Sequence, residues 1–259
     1  MYRGPILFPL LLVVLGFLLL FSNLGYIQFD FWRLIGMWWP LLLIIGGLDV
    51  LIGSLRARNI KPQTLALDLG TAPQADVSIN FGAGDLTIGK AAPGKIVDGT
   101  FEGEMRYDAK PDGRVWLKLE PWNWWGWNPR GYRWNVGVTD AVPLKLTLDG
   151  GAANTNADLT DLKITDLRVK TGASSTIIRL PRAAGMTTVR INAGAASVKL
   201  IVPEGVAARV HSSMAIGSND IDRQRFPLSG GDYVSVDYAT ASNKIDIQFE
   251  GGVGSLAVV

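Results

Sequence analysis

Hydrophobic and polar positions follow two different rhythms along this chain, and the change falls near residue 61. Between Arg3 and Asp30 no charged residue occurs, and Ile6 to Phe21 is almost entirely Leu, Val, Ile and Phe. A second apolar run extends from Leu34 to Leu55 and is broken only by Asp49. About 20 apolar residues span a hydrocarbon core of ~30 Å, so the pattern predicts two transmembrane helices, about 5–22 and 36–55. A cleaved signal peptide is the competing reading. The single Arg3 ahead of the run, the early Pro5 and Pro9, and the lack of a small-residue cleavage site after Phe21 argue against it.

Beyond Lys61 and Pro62 the apolar runs shorten to four to six residues, alternate with polar ones, and end at Gly, Pro, Asn or Asp. That is the signature of strands, and no long stretch keeps a helical period. The strands also repeat. Leu167, Val169 and Gly172 recur as Val189, Ile191 and Gly194, a step of 22 residues, and Pro181 recurs as Pro203 at the same step. Leu146, Leu148 and Gly151 precede them by 21, while Ala208, Val210 and Ser213 read as a following copy 19 residues after Gly194. Weaker copies are Val77, Ile79 and Gly82 near the start and Ile247, Phe249 and Gly252 near the end. Each unit reads as a strand, a tight Gly-Ala or Gly-Ser corner, a second strand and a turn. One unit cannot bury its apolar face, so stacked repeats of β-solenoid type are expected over residues 62–259. A sandwich of short strands is the alternative.

Charge sharpens the division. The formal total is only +2, and charged residues make up 19 % of the chain against the usual ~25 %. Residues 1–61 carry +3 and the remainder −1. A nucleic-acid partner is therefore not expected, because such domains concentrate Lys and Arg. The basic residues mark topology instead. Arg56, Arg58 and Lys61 follow the second helix and Arg3 precedes the first, while the link holds Arg33 alone, which predicts both ends cytoplasmic. Trp32, Trp38 and Trp39, with Arg56 and Arg58, are expected at the membrane interface. Asp49 is the one ionisable residue within a span; it is either an intramembrane contact or a side chain reaching toward the interface.

Candidate chemistry is sparse. There is no cysteine, so disulfides, thiolate metal sites and cysteine nucleophiles have no basis, and the one histidine, His211, is expected at a surface or corner position and not in a metal site or triad. Asp220 and Asp222 read as a solvated turn, because the glycine and distal glutamate of a calcium loop are missing. Gly82-Ala83-Gly84 precedes a strand and not a helix, so it does not form a phosphate loop. No cofactor, metal or catalytic residue is expected. The conspicuous feature is aromatic: Trp116, Trp122, Trp124, Trp125, Trp127 and Trp134 place six of nine tryptophans within nineteen positions. Trp116 and Trp134 fit strands that pack in the core or cap the stack. Trp122, Trp124, Trp125 and Trp127, with Arg130, are too dense and turn-rich for a buried strand. They form a candidate interaction loop toward lipid headgroups, a protein partner or a sugar.

Residues 4–55, notably Phe21 to Gly25 (FSNLG) and Trp38 to Gly47 (WWPLLLIIGG), resemble the membrane region of LiaI/LiaF-like proteins. Residues 62–259 resemble the toast-rack β domains of LiaF-type cell-wall-active antibiotic response proteins and related adhesins. The residues carrying this are Arg133 to Asn135, Val142 to Leu144, the Gly-Ala repeats, and Gly251 to Ser255. The resemblance implies a non-enzymatic, multi-pass bacterial membrane protein of the envelope stress response, with a membrane histidine kinase or another envelope protein as partner beside the lipid bilayer. A different class of function is a structural, adhesin-like module that self-associates through β edges. The apolar, uncharged segment Gly254 to Val259 suggests such an edge.

Overall fold

The computed structural model describes residues 62–120 and 131–259, together with residues 17, 20, 24, 38–41, 43, 44 and 46–48. The chain divides into two compact units, Met1–Leu55 and Arg56–Val259. In the first unit residues 38–41, 43, 44 and 46–48 are helical, and Trp38 and Trp39 are 54 % and 53 % exposed. Among the described residues no helix is long and apolar enough to cross a membrane. The expected spans fall mostly on residues outside that set, as do Trp32, Asp49, Arg56 and Arg58.

The second unit is all β. In chain order its strands are β1 (Gln63–Asp68), β2 (Ala75–Lys90), β3 (Lys95–Phe101), β4 (Met105–Ala109), β5 (Arg114–Leu119) and β6 (Tyr132–Val138). Then follow β7 (Leu144–Asp158), β8 (Ile164–Arg179), β9 (Met186–Ile201), β10 (Ala207–Ile221), β11 (Leu228–Ser229), β12 (Asp232–Val234) and β13 (Lys244–Val258). They form one sheet in the order β1-β3-β6-β2-β7-β8-β9-β13-β10-β12-β11, with β5 and β4 branching from β2. The five pairings from β2 through β7, β8, β9 and β13 to β10 are parallel, with equivalent repeat positions side by side. This is a stack of parallel repeats and not an antiparallel sandwich.

The long strands bend. In β7, Leu144, Leu146 and Leu148 are buried before the glycines, whereas Ala153 and Ala157 are buried after them, so the inward parity switches from even to odd. The inward parity also switches in β2, β8 and β9, there from odd to even. Side chains alternate strictly along a flat strand. A parity switch at a common position therefore means that each strand turns there and presents both arms to one interior. Returns such as 159–163 close the far side, with Leu159 and Leu162 buried. Inward residues stack into columns across the repeats, for example Leu146, Leu167, Val189, Ile247 and Val210 in the first arm. In the second arm Ala157, Ile178, Leu200, Val258 and Ile221 do the same. Each repeat thus buries an apolar row that it could not cover alone.

Two expectations are corrected here. The C-terminal strand is not an edge: β13 lies between β9 and β10 and pairs with both over most of its length. The copy in β10 is also offset by two residues from the sequence reading, because Val210 lies beside Ile247 and Ser213 beside Glu250. Ala215 and not Ser213 therefore occupies the corner position of that strand. Its missing glycine hid the register.

Candidate functional site

The corner is the organising feature of the described surface. A Cβ on Gly151 would lie 2.5 Å from the Gly82 carbonyl oxygen, one on Gly172 2.7 Å from that of Gly151, and one on Gly194 3.0 Å from that of Gly172. One on Gly252 would lie 2.8 Å from the Gly194 oxygen. None of these glycines has a left-handed backbone. They are required by close approach between successive repeats, not by backbone torsion. Beside this column Ala83, Ala152, Ala173 and Ala195 point to solvent, followed by Val253 and Ile216, which are 54 % and 68 % exposed. Six repeats at a strand spacing of ~4.8 Å give an uncharged ridge of ~24 Å. At its β10 end a shallow, open depression of about 520 Å³ is lined by Ala193, Gly194, Met214, Ala215, Gly251 and Gly252.

At the opposite end the repeat is split. The first arm of β2 pairs with β5 (Asp76 to Asn80 beside Arg114 to Lys118), and the second arm pairs with β6 (Gly84 to Lys90 beside Tyr132 to Val138). β5 and β6 together thus replace one bent strand, and the tryptophan-rich stretch is inserted where its corner would be. Trp122, Trp124, Trp125, Trp127 and Arg130 lie outside the described residues, and the flanking anchors are Glu120 and Gly131. Glu120 accepts an ion pair from Arg106 at 3.5 Å, and its amide donates to the Glu104 carbonyl at 2.9 Å.

The two tryptophans that sequence placed in strands behave differently. Trp134 is fully buried, its ring centroid 5.2 Å from that of Phe81 and 5.0 Å from that of Phe101, and its indole N–H donates to the Glu102 carbonyl at 2.9 Å. Trp116 is 40 % exposed on the outer face of β5, with the Lys118 ammonium 5.8 Å from its ring centroid. Alternation explains this: Val115, Leu117 and Leu119 take the inward positions. Trp116 is therefore a surface residue and not a core residue.

Polar groups on the outer faces neutralise one another. Asp166 accepts from Arg168 at 2.8 Å and from Arg190 at 3.3 Å, and Arg209 pairs with Asp246 at 2.9 Å while lying 5.4 Å from the Tyr238 ring centroid. The Arg133 guanidinium donates to Glu102 at 2.9 Å, and the Arg133 backbone amide donates to the same carboxylate at 3.1 Å. This clamp was not apparent in the sequence, where its partners stand 31 residues apart. Hydrogen bonds from the Thr160 hydroxyl and amide hold the Asp158 carboxyl below the usual carboxylate range, and Lys90 does the same for Asp140. Burial raises the Tyr132 phenol.

His211 lies 2.8 Å from Asp232, an exposed pair. Asp222 accepts the Gln224 and Arg225 amides and so caps a turn, while Asp220 is exposed on β10. Among the described residues there is no group of three His, Cys, Asp or Glu that could hold a metal ion. What the described surface offers is a ridged parallel stack whose outer faces carry several ion pairs.

Comparison with known proteins agrees with this architecture. Residues 6–51 match the model of the LiaI-LiaF-like transmembrane region. Among solved structures, one described as a "putative cell adhesion protein" of Clostridium sporogenes is similar with a TM-score of 0.67 at 21 % identity, covering 76 % of this chain and 99 % of that one. A protein of Bacteroides fragilis described as a "putative adhesin" aligns over 77 % of this chain and 97 % of its own, at 11 % identity and a TM-score of 0.33. The fold likeness rests on the first. Comparison with curated proteins gives no match. Residues 56–201 match the model described as the N-terminal domain of toast_rack, DUF2154, and over that span the chain belongs to the toast-rack family.

Proposed function

We propose that this chain is a non-enzymatic, membrane-anchored regulator of a bacterial cell-envelope stress response that acts on a membrane histidine kinase. The observation that carries the reading is the pairing, in one chain, of a LiaI-LiaF-like transmembrane region with a toast-rack domain. The residues fit that role. The basic cluster Arg56, Arg58 and Lys61 favours a cytoplasmic β domain, where a kinase presents its catalytic portions. The charge-balanced stack is a rigid platform, and the tryptophan-rich stretch between Glu120 and Gly131 is its candidate contact with the partner. Deleting the gene and reading an envelope-stress promoter with and without a wall-active antibiotic tests the proposal. Altered basal or induced output is expected, and unchanged output in both conditions overturns it.

A second reading is an adhesin-like structural module, favoured by the fold shared with the Clostridium sporogenes protein. It requires the β domain outside the cell. Alkaline phosphatase fused after Lys61 separates the two, being inactive for a cytoplasmic regulator and active for an external adhesive module.

A further inference from the structure

The stack ends unevenly at β10. Its first arm is covered: Val234 and Tyr233 of β12 pair with Arg209 and Val210, and Ser235 exchanges hydrogen bonds with the Ala208 backbone. From Ser212 to Asp220 the strand pairs with β13 on one side, and among the described residues no strand borders the other. Such an edge presents a row of backbone donors and acceptors. Two of the other edges carry charged guards, whereas the two-residue β11 carries none. Arg106 and Asp108 are exposed on β4, and the short β1 closes on the Lys95–Asp68 ion pair. Ser212 to Asn219 contains no charged residue and no proline, and its most exposed large side chain, Ile216, is 68 % accessible.

We infer that this edge pairs with β10 of a second copy of the chain, antiparallel about a two-fold axis at Ile216. Three observations select that occupant. First, the edge is a row of peptide groups, so its complement is another extended strand. Second, the row is bent at the corner, and a straight strand could follow only one arm. A two-fold axis near the bisector of the bend lays the second arm of one copy on the first arm of the other, with the corner residue Ala215 of each copy opposite Gly217 of the other. Third, the uncovered stretch from Ser212 to Asp220 is centred on Ile216. Pairing about that centre sets Asp220 opposite the other copy's Ser212, a hydroxyl donor, and keeps the two Asp220 carboxylates at opposite ends of the paired stretch. An isologous contact of this kind closes as a dimer. The inference goes beyond the regulatory reading and does not depend on it.

The absence of cysteine makes the test direct. Single Ile216→Cys, Ser212→Cys, Asp220→Cys and Val236→Cys variants of the full chain, purified in detergent, are oxidised and resolved without reductant. Val236, 91 % exposed beyond β12, reports random collision. The expected result is a disulfide-linked dimer for Ile216→Cys, several-fold above Val236→Cys, with Ser212→Cys and Asp220→Cys at the collision level. Mixing Ser212→Cys with Asp220→Cys restores the dimer. Ile216→Lys and Ser218→Lys, introduced together into the mixed pair, abolish it while the circular dichroism of the fold is retained. Equal yields at positions 216 and 236, or no dimer from folded protein, overturns the inference. None of these outcomes bears on the stress-promoter readout, so the two proposals fail separately.

Discussion

Gly172 lies against Gly151 so closely that a Cβ on Gly172 would meet the Gly151 carbonyl oxygen at 2.7 Å. The backbone torsion at Gly172 is open to any residue, so the constraint is contact alone. Gly172→Ala is expected to lower unfolding stability by about 1–3 kcal/mol, the range for overpacking a tight site. Gly82→Ala is the control, because its nearest atom beyond the adjoining chain is Leu119 Cδ2 at 3.8 Å. That change should stay within about 0.5 kcal/mol. Denaturant unfolding of both variants checks the contrast, and equal losses would remove the corner column from the account of stability.

Trp134 fills the interior between Phe81 and Phe101 at the split repeat. Trp134→Ala is expected to cost about 3–5 kcal/mol through the cavity it leaves. Trp134→Phe keeps much of the volume but strips the Glu102 carbonyl of its buried donor, for about 1–3 kcal/mol. Trp116→Ala, at an outer position, is expected to fall near zero. Thermal melts followed by near-ultraviolet circular dichroism rank the three.

Truncation after Asn243 takes out β13 and leaves β9 and β10 without their shared neighbour. Loss of cooperative unfolding is expected, not the small shift that follows deletion of an edge strand. A chain ending at Asn243 that still melts in one sharp transition would contradict the inserted position of β13.

Asp158 and Asp140 both titrate below the ordinary carboxylate value of 3.8, the first through Thr160 and the second through Lys90. Their folded pKa values are depressed, so the stabilisation is complete above the unfolded value and is lost as pH falls through the folded values. Melting temperature should therefore be insensitive to these groups above about pH 5 and should fall below pH 4. Thr160→Val should flatten part of that acid limb without changing the neutral plateau beyond the loss of one hydrogen bond. An unchanged acid limb would show that Asp158 does not contribute to it.

Trp124→Ala combined with Trp125→Ala tests the interaction loop. Envelope-stress output is expected to change while the melting temperature does not. Unchanged output with unchanged stability would remove the loop from the functional reading.

The repeat period was legible because close approach at each corner excludes a side chain, and glycine recurs at steps of 21 and 22 where that approach recurs. In β10, the last of the long parallel strands, Ala215 stands at the corner, the marker vanishes, and the sequence placed the copy two residues out of register. Spatial order was less legible still. A strand buried between two neighbours and a strand at an edge share the same alternation, so the apolar Gly254 to Val259 segment read as an edge although β13 is interior. Trp116 could have been placed outward from Val115, Leu117 and Leu119 alone. Of the candidate site, the aromatic cluster was plain in the sequence, whereas the Glu102–Arg133 clamp and the uncovered edge of β10 arise from pairings between residues distant along the chain.

The interior position of β13 also bears on synthesis at the ribosome. Residues 1–61 emerge first and are free to enter a bilayer, while β9 and β10 wait without the strand that joins them until residues 244–258 have left the exit tunnel. The nascent stack therefore carries two long unzipped flanks until that strand arrives. Holdase chaperones that bind extended apolar segments would find them there, and the interval between the synthesis of β10 and that of β13 sets how long those flanks stay open.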